Sequence, residues 1–529
     1  MKRILIITSL LLSGILAMHG QGVLDVLPSL SNQLNGTARY SAMGGAFGAL
    51  GGDLTTIRQN PAGIGVYRSS EITVTGNFNF TFNSVETPGK LSKNNDFYFT
   101  GDNMGVVGVI RFNSGALRNL NFAFAYNNVA TFNNVYSAQW DNIHSSLTEM
   151  MAGKATAAKL YPSDLAISSS YNPYLSMPWL PTLAYNTNLI YNISGHDYMG
   201  IFQPGKTTVN THIVNYTAGS LDEYDFNISG NVSDRFYWGV TLNVSSINYI
   251  VESYYTEQLT NAYVRNNFSN NATQPSYTNG RYELQNYLRT DGSGVGVKLG
   301  FIYRPVNFLR LGAAFHSPTY YQLSDTYSAA VDYQFANVDG RPLSGSADNY
   351  DNQTDIGSFS YQLRTPWHLM GNIAVVLGKS AIISADYEYT AANSSQYSSP
   401  YTDYTYENYD IKNQMQGMHN LRLGAEYRLT PAFSLRAGYA WESSPMKDEY
   451  VSGGEIPQIT EGTLITYQIP DDAHNFSCGL GYRVNNFSID AAYVHRMQQY
   501  TIIPYETFTI PTSMDMRHNS IKVTLGYRF

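Results

Sequence analysis

The chain ends in Ile521-Lys522-Val523-Thr524-Leu525-Gly526-Tyr527-Arg528-Phe529, and the reading of that stretch decides the fold. In an extended chain, successive side chains point to opposite faces. Ile521, Val523, Leu525, Tyr527 and Phe529 then share one face, and Lys522, Thr524, Gly526 and Arg528 the other. One face suits lipid and the other suits water. The same period recurs upstream. Leu421, Leu423, Ala425 and Tyr427 oppose Arg422, Gly424, Glu426 and Arg428, while Phe433, Leu435, Ala437 and Tyr439 oppose Ser434, Arg436 and Gly438. Ile383, Ala385 and Tyr387 oppose Ser384, Asp386 and Glu388, and Leu309, Leu311 and Ala313 oppose Arg310. Segments of about ten residues, apolar outward and polar inward, are the signature of a transmembrane β-barrel.

Composition agrees with that class. Only 14% of the 529 residues are charged, against about 25% in an ordinary soluble chain. Aromatic residues make up another 14%, with 44 Tyr and 24 Phe. So few charges cannot cover a conventional water-facing surface. The net charge of -8 gives phosphate no general attraction, so no nucleic-acid partner is expected. The single cysteine, Cys478, leaves no disulfide framework. Lys2 and Arg3 ahead of the apolar run from Ile4 to Ala17 read as a secretory signal peptide over residues 1–20, cleaved near Gly20. Beyond it, no apolar run is long enough for a membrane helix.

Connection lengths give the topology. Short links fall near Asn113–Leu117, Asn231–Asp234, Arg304–Asn307, Gly378–Ser380, Leu429–Ala432 and Val484–Asn486. Long polar links fall near residues 83–96, 131–218, 256–280, 335–355, 391–408, 445–471 and 501–515. Their alternation predicts an all-β, 14-stranded antiparallel transmembrane β-barrel over residues 70–529, with short turns in the periplasm and long loops outside. Such a barrel is too wide for its own side chains to fill. Residues 21–69 do not alternate and carry the small-residue run Ala42-Met43-Gly44-Gly45-Ala46-Phe47-Gly48-Ala49, so they are expected to plug the lumen.

The plug segment also carries a specific likeness. Gly36-Thr37-Ala38-Arg39-Tyr40-Ser41 through Asp53, then Arg58-Gln59-Asn60-Pro61-Ala62-Gly63 just before the first strand, resembles the N-terminal hatch of the FadL/TodX family of outer-membrane transporters. The resemblance implies passive uptake of hydrophobic molecules, long-chain fatty acids or aromatic hydrocarbons, at the outer membrane of a Gram-negative bacterium. It implies capture among external loops, a lumen pocket, and sideways exit beside a kinked third strand. Here that strand is expected over Arg118 to Ala130, with Asn127-Asn128 interrupting its pattern. The hatch motif maps onto Asp53, Arg58, Asn60, Pro61 and Ala62. The partners implied are a hydrophobic ligand and outer-membrane lipid, and a monomer is expected. Some relatives on this scaffold serve protein secretion and some are labelled haemin receptors, so a protein-binding barrel and haem uptake are the alternatives.

Two further sets of residues are candidates. Lys298, Arg310, Arg422 and Arg436 share the lumen face with Asp386, Glu388, Glu426 and Asp490. They either pair to anchor the hatch or hold a ligand carboxylate. Trp140, Ile143, Leu147 and Met150 are spaced three or four apart between Ser137 and Ala158. That spacing predicts an amphipathic helix, whose apolar stripe either lines a capture groove or packs on neighbouring loops. The ten histidines show no metal-ligand spacing. Gly292-Ser293-Gly294-Val295-Gly296 precedes a strand and not a helix, so it is no nucleotide loop. No enzyme, cofactor or metal site is expected.

Overall fold

A computed structural model describes residues 21–269, 275–378, 380–451, 463–508, 510 and 512–529. The signal peptide expected over residues 1–20 lies outside the described residues. The wall is a closed antiparallel barrel of 14 strands. In order they are β1 (Glu71–Thr87), β2 (Lys90–Arg111), β3 (Leu117–Thr131), β4 (Thr208–Val232), β5 (Phe236–Val264) and β6 (Ser276–Val306). Next come β7 (Leu309–His316, resuming as Tyr320–Val338) and β8 (Gly357–Arg364, resuming as His368–Leu377). The wall ends with β9 (Ala381–Thr390), β10 (Met418–Arg428), β11 (Phe433–Glu442), β12 (Tyr467–Val484), β13 (Phe487–Ile503) and β14 (Thr512–Arg528). Strand β14 pairs back onto β1, from Glu71 opposite Arg528 up to Val85 opposite Met514. That pairing closes the sheet between its first and last strands, as a membrane-spanning sheet requires.

Side chains follow the alternation. On β14, Ile521, Val523, Leu525 and Tyr527 are exposed on the outer face, and Lys522 and Thr524 are buried in the lumen. The six short turns lie together with Glu71 and Phe529 at one end, which is the periplasmic end. The outer end departs from the expected loops. Residues 83–96 form the tip of the β1–β2 hairpin, turning at Pro88-Gly89. Strand β5 has 29 residues and β6 has 31, where about ten cross a membrane. The wall therefore rises beyond the membrane as a tall screen over β4 to β7. Its inner face stays apolar there, packing Tyr255, Tyr282, Leu284 and Val331 against the external loops.

Residues 38–66 fill the periplasmic half of the lumen as short turns: a helix at Ala38–Ala42, another at Thr56–Gln59 and a 3-10 turn at Pro61–Val66. Small residues make the fit possible. Gly424 and Gly438 stand opposite each other on β10 and β11. A Cβ on Gly438 would lie 2.0 Å from the amide nitrogen of Gly44, and one on Gly424 2.5 Å from the carbonyl of Met43. Gly44 itself needs a positive φ of 60° to make that turn. Gly438→Val is therefore expected to lift the Met43-Gly44 turn off the wall while leaving the barrel closed. Ion conductance across a planar bilayer should rise well above that of the unaltered protein, whereas an unchanged conductance would show that this contact does not seat the plug.

Candidate functional site

The hatch motif ties the plug to the wall. Asn60 donates from Nδ2 to the carbonyl of Gly48 at 2.6 Å and to that of Phe301 on β6 at 3.2 Å, and its Oδ1 accepts from the amide of Ala62 at 3.1 Å. Pro61 opens the following 3-10 turn, where its missing N–H costs nothing. Ala62 is fully buried against Tyr237 and Ile302. Asp53 accepts from the Thr37 hydroxyl at 2.7 Å and the Thr55 amide at 3.0 Å, closing the plug on itself.

The lumen cations occupy distinct positions. Arg436 donates from Nε to Glu426 at 2.7 Å and also pairs with Asp490, while Arg39 of the plug reaches the same Glu426 at 3.0 Å. Lys298 pairs with Glu223 at 2.6 Å and Asp225 at 3.4 Å, and Arg422 with Glu388 at 2.6 Å. Arg310 donates to the carbonyl of Leu50 in the plug. Asp386 accepts from the amide of Gly48 at 2.8 Å and from Gln59 at 3.0 Å. Charges of the wall thus hold the plug, since a buried charge needs partners.

The expected helix from Ser137 to Ala158 is two elements. Asn134–Ile143 is a strand continuing above β3 and pairing with β4, and the helix is Leu147–Ala157. Tyr136, Ala138 and Trp140 supply a period-two inner face, and the chain breaks at Asn142, whose φ is 54°. The helix starts where Ser146 and Glu149 form a capping box. Trp140, Ile143, Leu147 and Met150 do meet, but they are buried in the external-loop core and line neither lumen cavity. The Trp140 indole donates to Thr512 at 3.1 Å.

The wall has a gap that the sequence reading placed only in part. Strands β2 and β3 pair from Arg111–Asn119 up to Asn103–Asn127 and then part. Two bulges cause it. The β1–β2 register shifts at Asp102, and the β3–β4 register shifts at Asn128–Ala130, by the expected interruption. Asp102 signalled its bulge by phase: Phe97 and Phe99 face outward below it in number, and Met104 and Val106 above it. The edges meet again where Asn94 accepts from the amide of Ser137 at 2.8 Å. Between those levels the plug fills in. The backbone amide of Gln33 donates to the carbonyl of Val129 at 3.1 Å, and its side chain exchanges bonds with the carbonyl and amide of Thr131 at 2.9 and 3.1 Å. Asn35 donates to Asn128 at 3.0 Å and accepts from Lys522 at 2.7 Å. Lys522 also pairs with Asp102, both fully enclosed.

Behind the gap lies a cavity of about 270 Å³. Leu27, Leu30, Tyr249, Leu323, Met418 and Tyr500 give it apolar walls, and Tyr98, Thr131 and Phe132 border the gap. A second cavity of about 100 Å³ adjoins it past Ser29–Asn32. Arg58, Arg422 and Lys298 line that one, with His316, His368 and Glu388. Arg58 and Arg422 are 8% and 5% exposed. The Nη1 of each is buried with no acceptor among the described protein atoms, and Arg58 forms no ion pair among the described residues. Arg58 belongs to the hatch motif, and only the fold brings it to the same cavity as Arg422.

A closed lipid-facing barrel with an internal plug, a lumen cavity and a wall gap defines an outer-membrane channel. Residues 31–520 match the model of the outer membrane protein transport protein family (OMPP1/FadL/TodX), and the chain belongs to that family. Its place is the outer membrane, and its class is a transport channel and not an enzyme. Among solved structures, a Pseudomonas aeruginosa FadL homologue is 12% identical, the match covering 94% of this chain and 99% of that one at a TM-score of 0.51. The P. putida toluene transporter TodX is also 12% identical, over 94% and 99%, at 0.49. At this identity the first of these shows the shared fold. No curated protein matches the sequence.

Lys522→Met leaves the Asp102 carboxylate buried without its cation, a loss of about 3–5 kcal/mol. The melting temperature in detergent is expected to fall clearly, and the double variant K522M/D102L to recover most of it. A single variant as stable as the parent would show that this pair does not hold the gap region.

Proposed function

We propose that this channel takes up amphipathic hydrophobic molecules bearing a carboxylate, of the long-chain fatty-acid class, by passive diffusion. The observation that carries the reading is the junction of the apolar cavity with the small one, where Arg58 and Arg422 each present a buried, unpartnered Nη1. An apolar tail gains about 25 cal/mol per Å² on leaving water. A carboxylate beside two guanidinium groups gains charge-assisted hydrogen bonds of about 1.5–3 kcal/mol. The ligand leaves through the β2–β3 gap into the membrane, because release into the aqueous periplasm would return its tail to water. For that, Gln33 and Asn35 must let go of β3, which makes the plug the gate. The TodX-type neighbours are toluene transporters, and an aromatic hydrocarbon has no use for the two arginines.

Arg58→Met is expected to weaken oleate binding to the purified protein about 10- to 100-fold, as the loss of about 1.4 to 2.8 kcal/mol implies, with methyl oleate unaffected. An equal loss for acid and ester, or toluene binding that exceeds oleate binding, would overturn the carboxylate reading. A Soret band or a co-purifying secreted protein would point to haem or protein traffic instead.

A further inference from the structure

The first described residues are enclosed at the outer half of the lumen. Gln21 is 2% exposed. Its Nε2 donates to Asp325 on β7 at 2.8 Å, and its Oε1 accepts from the Tyr404 hydroxyl at 3.0 Å. The amide of Gly22 donates to Asp25 at 2.6 Å, and the carbonyl of Gly22 accepts from Tyr397 at 3.1 Å. Two carboxyl groups therefore meet around residues 21 and 22. Asp325 accepts besides from Thr290 at 2.6 Å and Tyr361 at 3.3 Å. Among the described residues neither Asp25 nor Asp325 forms an ion pair, although Glu388, Glu426 and Asp102 on the same lumen face each have a Lys or Arg. Burial, with Asp325 nearby, pushes the Asp25 carboxyl up to about 7. Two buried carboxyls near enough to raise one another's proton affinity would be stabilised by a cation between them.

Removal of the signal peptide expected over residues 1–20 supplies a cation at this point. Cleavage after Gly20 would turn the amide nitrogen of Gln21 into an α-ammonium, one residue from the amide that already bonds Asp25. We propose that the α-ammonium of Gln21, freed by signal-peptide removal, is the buried counter-ion of Asp25 and Asp325. Processing then fastens the leading segment of the plug, Val23 and Val26 packing with it against Tyr404 and Ile411. The same geometry guards the new terminus. Asp325 and Tyr404 hold the Gln21 side-chain amide, which keeps it from attack by its own amine.

The test is amine labelling of the protein purified from outer membranes, read by mass spectrometry. The expected result is a mature chain beginning at Gln21 with a free amine. In the native protein that amine should react about tenfold or more slowly than the exposed Lys159, as protection by a closed local structure predicts, and at the ordinary rate in urea. Asp325→Asn should raise the native rate several-fold. Three results would overturn the proposal. The chain could begin at another residue. The amine could label as fast as Lys159 in the native protein. Gln21 could be found as pyroglutamate, its amine having joined the side-chain carbonyl carbon with loss of ammonia. Labelling of the unaltered protein decides the matter even where the variant fails to assemble, and it does so whatever the transported ligand proves to be.

Discussion

A sheet inside a membrane must pair every backbone N–H and C=O with itself, and this closure shapes all else in the molecule. Closure of β14 onto β1 makes a wall of 14 strands, whose lumen its own side chains cannot fill. The interior must therefore be supplied by chain that is not wall. The leading segment does this with turns small enough to lie against glycine, as at Gly44 over Gly438. Because the plug and wall meet through polar surfaces, their contact is held by charge: Arg39 on Glu426, Arg310 on Leu50 and Asp386 on Gly48.

Where β2 and β3 part, the plug takes the place of the missing strand pairing. Bulges at Asp102 and Asn128 turn extra polar side chains inward and separate β2 from β3. Gln33 then bonds the freed backbone of β3 much as a neighbouring strand would. Lys522 stands at the centre, joining the last strand to Asp102 on β2 and to Asn35 of the plug. A seam built from side chains and one short stretch of backbone is easier to part than a continuous ladder. It is also the stretch of wall that borders the apolar cavity, which is the placement that the proposed release past the plug into lipid requires.

Much of this was legible in the sequence, for identifiable reasons. Short turns such as Leu429–Ala432 leave one possible register, so Glu426 facing Arg436 follows from the chain itself. The lumen face of β14 follows from period two. What stayed hidden depends on partners distant in sequence or on departures from the period. Lys522 and Asp102 lie 420 residues apart, and Asp102 faces inward only because the apolar phase switches between Phe99 and Met104. Around Trp140 two periods compete: Tyr136, Ala138 and Trp140 in twos, and Trp140, Ile143 and Leu147 in threes and fours. The strand won because β4 offers it a free edge up to Val209. Arg58 reads as part of a motif, and its place on one cavity with Arg422 exists only once the plug is seated.

The central claim is that ligand leaves where Asn35 of the plug meets Asn128 of β3. Placing cysteines at those two positions in a Cys478→Ala background and bridging them with a short bis-methanethiosulfonate, which joins each cysteine through a reducible disulfide, tests it most directly. The account predicts that the bridge stops delivery of a labelled fatty acid across a reconstituted bilayer and that a reductant restores it. Delivery that continues undiminished with the bridge in place would contradict it.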